Sequence, residues 1–437
     1  MATVIDPWIV RTIEAAAARV RAATGDRIGD LVEAALLRTL RDTTTIGEDG
    51  TAFVITGDIP AMWMRDSTTQ LTPYLRFLAE CPPLAALVTA VVRRQFACLD
   101  HDPYANAFND GPTGAHYEPD DVCGDPHVWE QKYEVDSLAH PITLAHRLWR
   151  TTGSTAPFDA RAHRVLRTVV GQLRREQRHD ESPYRFERTT TIPTETLARG
   201  GRGTPVAVTG MTWSGFRPSD DACTHGYNIP ANLFAAQALL AIADIADEVY
   251  RDADLAADAR ALSRALVDGV EAHGIVDRGG TRVYAYEVDG LGGVLLMDDA
   301  NTPSLLSLPL HAPDLLDAEV WRATRGFVLS PDNPYYSSGS VASGIGSPHT
   351  RPGWVWPIAL AVEGLTGTAA DRERLLHLIA DTDAGTGHVH ESFDPSDPTS
   401  FSRPWFSWAD SMFCELALAV ADDVETAAHR GDASTPV

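Results

Sequence analysis

The stretch "IPANLFAAQALLAIADIADEVYRDADLAADARALSRALVDGVEAHG", residues 229–274, reads as two helices in succession. Apolar residues recur at spacings of three and four on both sides of a short polar joint, "RDAD". A joint that short turns the second helix back along the first. The same unit recurs along the chain. "DPWIVRTIEAAAARVRAAT" opens on Asp6-Pro7, a capping residue followed by proline at the first helical position, and "DRIGDLVEAALLRTLRDT" follows it. "STTQLTPYLRFLAE" pairs with "PPLAALVTAVVRRQFACLD" across Cys81-Pro82-Pro83, and "EVDSLAHPITLAHRLWRTTG" pairs with "FDARAHRVLRTVVGQLRREQ". "TPSLLSLPLH" and "LDAEVWRATRGFVLS" give a shorter pair, "GWVWPIALAVEGLTG" and "AADRERLLHLIADT" another, and "FSWADSMFCELALAVADDV" is a last helix. Long segments rich in Gly, Pro, Asp and aromatics join the pairs, at 43–65, 101–133, 179–228, 273–300, 328–353 and 384–406. Short and long connections alternate, so the long loops gather on one face. Six such hairpins closed in a ring make an all-α (α/α)6 barrel; an open helical solenoid is the second arrangement of the same units. Fragments such as "TRVYAYEVDG" fit β-hairpins within the loops.

At 437 residues the chain exceeds the usual size of one core, but barrels run long as one domain, and no Pro- or Ser-rich linker divides this one. One catalytic domain over 1–437 is expected, with a disordered tail from about 426. The net charge of −24 and the scattered arginines argue against a nucleic-acid partner. No run of about 20 apolar residues is evident, which argues against a membrane span, and the N-terminus lacks the pattern of a secretory signal. The five cysteines, Cys81, Cys98, Cys123, Cys223 and Cys414, are odd in number, widely spread and without a CxxC. They are expected to be free thiols in a reducing cytoplasm.

The loops carry "GDIPAMWMRDST" (57–68), "FNDGPTGAHYEPDD", "VWEQKYEVDS", "TGMTWSGFRPSDDACTHGYNIPANLF", "LMDDANTPSLL", "NPYYSSGSVASGIGSPHTRPGWVWP" and "GTGHVHESFDPSDPTSFSRPWFSWADS". Aromatic faces cover the apolar faces of sugar rings, while carboxylates, Arg and Asn hydrogen-bond hydroxyls. This mixture suits a carbohydrate pocket. No phosphate loop, dinucleotide fingerprint, serine elbow or HExxH motif occurs. His388 and His390 in "HVHESF" lack zinc-protease spacing, and Asp120-Asp121 and Asp298-Asp299 lack an EF-hand register. Neither a metal nor a cofactor is expected.

Read together, "TGDIPAMWMRDSTTQLTPYL", "DGPTGAHYEPDD", "VWEQKYEVDSL", "TGMTWSGFRPSDDA…GYNIPANLFA", "MDDANTPSLLSLP", "NPYYSSG", "GIGSPHT" and "TGHVHESFDPSDP…FSRPWFSWADSMFCEL" resemble glycoside hydrolase family 125, the exo-acting α-1,6-mannosidases. The blocks run in order over about 56–420. The resemblance implies an (α/α)6 barrel, inversion by single displacement, no metal, and a mannose-containing oligosaccharide as substrate. It departs from the family at Asn228 and Asp410, where an apolar residue and Asn are the rule.

Carried over residue by residue, the resemblance makes Glu391 the general base and an aspartate of "RPSDD" the general acid, Asp220 in preference to Asp221. Both aspartates are also good helix caps for the segment that follows. In "AMWMRDS", Arg65 and Asp66 are expected to grip vicinal hydroxyls, with donors from one and acceptors from the other, and Trp63 to back the ring. Asp58, Trp213, Asn232, Asp299 and His349 are further expected substrate contacts. Two readings on the same barrel compete: a carbohydrate-binding protein without turnover, and a sugar isomerase using His388 and His390 as proton carriers.

Overall fold

The computed structural model describes residues 5–118 and 123–432, with side chains described to residue 429. About 51% of it is helical, with few strands. Helices α1 (Pro7–Thr24) and α2 (Asp26–Asp42) are followed by a short α3 (Met64–Thr69) and by α4 (Pro82–His101). Next come α5 (Val135–Thr152), α6 (Ala160–Glu176) and a single turn, α7 (Ala198–Gly201). The pair α8 (Ile229–Ile245) and α9 (Ala253–Gly269) occupies the central sequence. The order ends with α10 (Leu308–His311), α11 (Ala318–Val328), α12 (Pro357–Leu365), α13 (Ala369–Asp381) and α14 (Ser407–Asp432).

Starts and stops follow local chemistry. Asp6, Asp159, Asp252 and Asp317 cap α1, α6, α9 and α11 by accepting from backbone N–H groups of the first turn. Two expected helices are shorter than their periodicity suggests. "STTQLTPYLRFLAE" breaks into α3 and a 3-10 segment, Thr72–Phe77, because Pro73 has no N–H and disfavours helical backbone at the residue before it. "TPSLLSLPLH" is helical only over α10. The N–H groups of Leu305 and Leu306 go to Asp298, and those of Ser304 and Ser307 go to each other's hydroxyls, so side chains satisfy a backbone that a helix would otherwise satisfy.

Neighbouring helices run α3–α5–α8–α10 in one direction and α3–α14–α12 in the other, and α14 also packs on α1 and α2. One apolar cluster extends from Ile9 in α1 to Ala421 in α14. One long component corrects an expectation. Ile229–Tyr250 is long and apolar enough to cross a membrane by composition, yet 83% of its apolar window is buried within the fold. It is apolar all round because α5, α9 and α10 pack against it. The loop hairpins are present: Ile275–Asp277 pairs antiparallel with Arg282–Tyr284, and Glu287–Val288 pairs with both Tyr227–Asn228 and Val294–Leu295. Helix α14 continues to Asp432, through the start of the stretch expected to be a disordered tail; 433–437 lie outside the described residues.

Leu239 is fully buried on α8. Leu239→Ala is expected to lower unfolding free energy by about 2–5 kcal/mol, the usual cost of a core cavity of this kind. Chemical denaturation measures it; a loss below about 0.5 kcal/mol, the size of a surface change, would contradict the central placing of α8.

Candidate active site

The long loops enclose a cleft of about 780 Å³, counting its open mouth. A small sheet builds one wall: Met62–Trp63 pairs with Ala107–Phe108, which pairs with Val128–Glu130. Trp63 ends its strand as the cap of α3, so Arg65 and Asp66 fall in that helix's first turn. Glu134 caps α5 and Asp136 lies in its first turn. Helix N-termini favour carboxylates, and here two of them converge on one cation. Nη1 of Arg65 donates to Glu134 at 2.8 Å and to Asp136 at 3.1 Å, and Nη2 donates to Asp220 at 2.9 Å. Asp66 lies 3.7 Å from Nε. Arg65, expected to grip sugar hydroxyls, thus lines the cleft with its terminal nitrogens already bonded to protein carboxylates. Only Asp220 of those three partners reaches solvent, its side chain 21% exposed against 0% for Glu134 and Asp136.

Asp220 has φ 67°, the left-handed region that a non-glycine residue occupies at a cost. That turn aims its carboxylate into the cleft, while Asp221 points into the protein and accepts from His349 Nδ1 at 3.2 Å. Neither aspartate caps a helix; that task falls to Asn228, whose Oδ1 accepts from the N–H of Ala231 at 3.0 Å. Burial would lower the His349 pKa, but the hydrogen bond and charge of Asp221, with Glu391 and Asp220 beyond, push it up to about 9. Burial and the nearby charge of Asp220, opposed by Arg65, push Asp66 up to about 6.

The opposite wall comes from the last loop. Glu391 precedes a hairpin, Ser392–Asp394 with Asp397–Ser402, that sets Ser392 opposite Ser402. The Ser402 hydroxyl donates to Glu391 Oε2 at 2.8 Å. Arg403, also at positive φ, lies 3.6 Å from Glu391 Oε1 and hydrogen-bonds Asp58 through Nε at 3.0 and 3.1 Å. Asp58 therefore orients Arg403 and does not line the cleft. Gly57 bridges to Phe406; a Cβ there would stand 3.1 Å from the Trp405 carbonyl. Asp410 explains one departure from the family pattern: it accepts from Val389 N at 2.8 Å and faces both Arg38 and His388. An Asn would give Arg38 no counter-charge.

Trp63, Arg65, Asp66, Asp220, His349 and Glu391 share the cleft. Trp213, Asn232 and Asp299 do not line it. Trp213 stacks on His179 at 3.4 Å and is close enough to Gly226 that a Cβ there would meet its Nε1 at 2.6 Å, so it is a core residue. Asn232 is fully buried, bonded to Thr212 and Asn228. Asp299 accepts from Asn301, and Asn301 takes the place at the wall. His390 stacks on Phe401 at 3.6 Å and His388 faces Asp410, so neither forms the proton-carrying pair of the isomerase reading. Asp298 is occupied by the backbone of Leu305 and Leu306, and Asp120-Asp121 lies outside the described residues.

Residue-level reading missed Glu134, Asp136, Lys132, Trp408 and Arg403. Buried Lys132 pairs with Glu195 at 2.8 Å at the cleft wall. The indole N–H groups of Trp63 and Trp408, both at the wall, have no protein partner. The signal for the first group was the charge density of "EQKYEVD" (130–136) between apolar strand and helix.

Known structures supply the class. The chain superposes with a TM-score of 0.93, at 42% identity and over 96% of its length and 100% of the other's, on a Streptococcus pneumoniae protein. That protein was solved as a metal-independent alpha mannosidase in a non-productive complex with α-1,6-mannobiose. A glucoamylase from Saccharomycopsis fibuligera, at 13% identity, shares the fold alone, with a TM-score of 0.56 over 92% of this chain and 97% of its own. The protein is a glycoside hydrolase on a helical scaffold. Residues 26–418 match the family described as metal-independent alpha-mannosidase, GH125, and the chain belongs to that family. The Meiotically up-regulated gene 157 protein of Schizosaccharomyces pombe is 41% identical over 389 residues, 84% of this chain and 76% of that protein.

His349 carries a stability prediction. Its folded pKa of about 9 lies above the ordinary 6.5, so its contribution is complete below pH 6.5 and is lost as pH rises through about 9. Imidazole NMR should show His349 protonated to about pH 9 in the wild type and titrating markedly lower in Asp221→Asn. An unmoved titration would refute the pairing.

Proposed function

We propose that this enzyme releases single mannose units from the non-reducing ends of α-1,6-linked mannosides, by one displacement with inversion. The observation that carries the reading is that Asp220 and Glu391, on separate loops, face one cleft that also holds Trp63, Trp356 and Trp408. Asp220 in its protonated form donates to the glycosidic oxygen as the C1–O bond breaks. Glu391 accepts a proton from the water that attacks C1 on the opposite face. Inversion asks for two carboxyls roughly 6.5–9.5 Å apart, with the water between. The free indole N–H groups of Trp63 and Trp408 are donors for sugar hydroxyls, and Asp66 an acceptor. Exo action is supported by the burial of Arg65, Glu134 and Asp136 beside Asp220. The 1,6 linkage is supported by the mannobiose bound to the S. pneumoniae relative. The two arcs of neighbouring helices, α3 to α10 and α3 to α12, support closure as an (α/α)6 barrel of one domain. The free, buried thiols of Cys81, Cys98, Cys223 and Cys414 support a cytoplasmic location.

Proton NMR of the first product formed from α-1,6-mannobiose should show β-mannose before mutarotation; initial α-mannose would sink the inverting assignment. Asp220→Asn should slow mannobiose hydrolysis by about 10²–10⁴-fold, the usual worth of acid assistance. It should spare a dinitrophenyl mannoside, whose phenol leaves without a proton. Glu391→Gln should depress both substrates. Equal losses for the two substrates in Asp220→Asn would move the acid elsewhere.

A further inference from the structure

Asp220 shares its cation with three other carboxylates. Glu134, Asp136 and Asp220 bond the two terminal nitrogens of Arg65, and Asp66 stands beside Nε. All are buried apart from the edge of Asp220. The next cations are already engaged, Lys132 with Glu195 and Glu130, and His349 with Asp221. Four carboxylates out of water on one guanidinium cannot all stay ionised, because each added charge is both desolvated and repelled. The cluster must hold a proton at neutral pH. Glu134 and Asp220 bond the two terminal nitrogens of one guanidinium, at 2.8 and 2.9 Å, so one proton can serve both.

We propose that Glu134 is a positioning residue that shares one proton with Asp220 across Arg65 and so keeps Asp220 competent as the acid at neutral pH. The inference rests on the reading of Asp220 as the acid given above. The charges support it in direction. Burial would raise Asp220, but Arg65, the hydrogen bond from Glu134, Lys132 and His349 outweigh it and hold that carboxyl below its ordinary range. Burial and the charge of Asp220 push Glu134 well above its own range, against Arg65. An acid held low by its neighbours needs a supplier, and the supplier is bonded to the same guanidinium. Other titratable groups facing the pair are Asp66 on α3, Asp136 and His140 on α5, Lys132 and Glu130 just before α5, and Tyr117 and Cys223 in the loops. In turnover the shared proton, held on Asp220, passes to the leaving oxygen as the C1–O bond breaks, and one proton from solvent restores the Glu134–Asp220 pair. The attacking water's proton leaves through Glu391 to solvent, so charge and proton count are restored.

The test is the pH profile of kcat/KM in Glu134→Gln. The substitution keeps an oxygen for Arg65 and removes the titrating group. The alkaline limb on α-1,6-mannobiose should move at least about one unit to lower pH, the coupling expected of such a pair. Activity at pH 7 should therefore fall about tenfold or more and recover on acidification, with dinitrophenyl mannoside hydrolysis nearly unchanged. Ser137→Ala supplies the opposite sign and decides the matter should Glu134→Gln not fold. It removes the hydroxyl that donates to Glu134 Oε2 at 3.0 Å and should move the limb to higher pH. An unmoved alkaline limb in these variants, or equal slowing of both substrates, overturns the proposal. Asp220→Asn measured alongside separates the two readings. If it shows leaving-group selectivity while the limb stays put, only the shared proton is refuted; if it shows none, the acid assignment fails and takes this inference with it.

Discussion

Arg65 is buried with Glu134 and Asp136 on one terminal nitrogen, Asp220 on the other and Asp66 beside Nε, and the elements that bring those groups together depend on it. Residues 134 and 136 start α5, residues 65 and 66 start α3, and residue 220 sits in a loop at positive φ. Without the guanidinium, two helix starts carrying buried carboxylates would repel each other at the heart of the cleft. Removing one member of such a buried cluster is costly, because the partners left behind stay out of water uncompensated. The strained turn at Asp220 persists because the same cation holds its side chain.

The helical frame was legible in the sequence because each long hairpin repeats a 3.6-residue apolar period over many turns. It failed where that period was real but the backbone was claimed by something else. Pro73 ended α3, and Asp298 with two serines took the N–H groups ahead of α10. The site was legible in part. Strings around Trp63, Arg65, Asp66, Asp220, His349 and Glu391 do meet in one cleft. Trp213 and Asn232 sit in equally dense strings yet belong to the core, because a motif marks a constrained segment without saying which face each side chain takes. Glu134 and Asp136 went unassigned for a related reason: their partner is seventy positions upstream, and only the fold brings it to them.

The departures from the family pattern fall on supports of the site. Asn228 caps α8 and also receives a side-chain hydrogen bond from Asn232 through its carbonyl. Asp410 ties the loop that presents Glu391 to Arg38 on α2. Both change how a loop is held without entering the cleft, so they bear on rigidity more than on which sugar is recognised.

The bridge from Gly57 to Phe406 and the ion pair from Asp58 to Arg403 join segments 345 residues apart in the chain. Such contacts form late, since closing so long a loop must await most of the polypeptide. During synthesis the wall bearing Trp63 and the Arg65 cluster, completed by Asp220, emerge first, and Trp356, Glu391 and Trp408 emerge only near the end. A nascent chain therefore owns half a pocket, able to meet a sugar but lacking the group that would activate water. Competence arrives as a single event, when the final hairpin docks against the first loop.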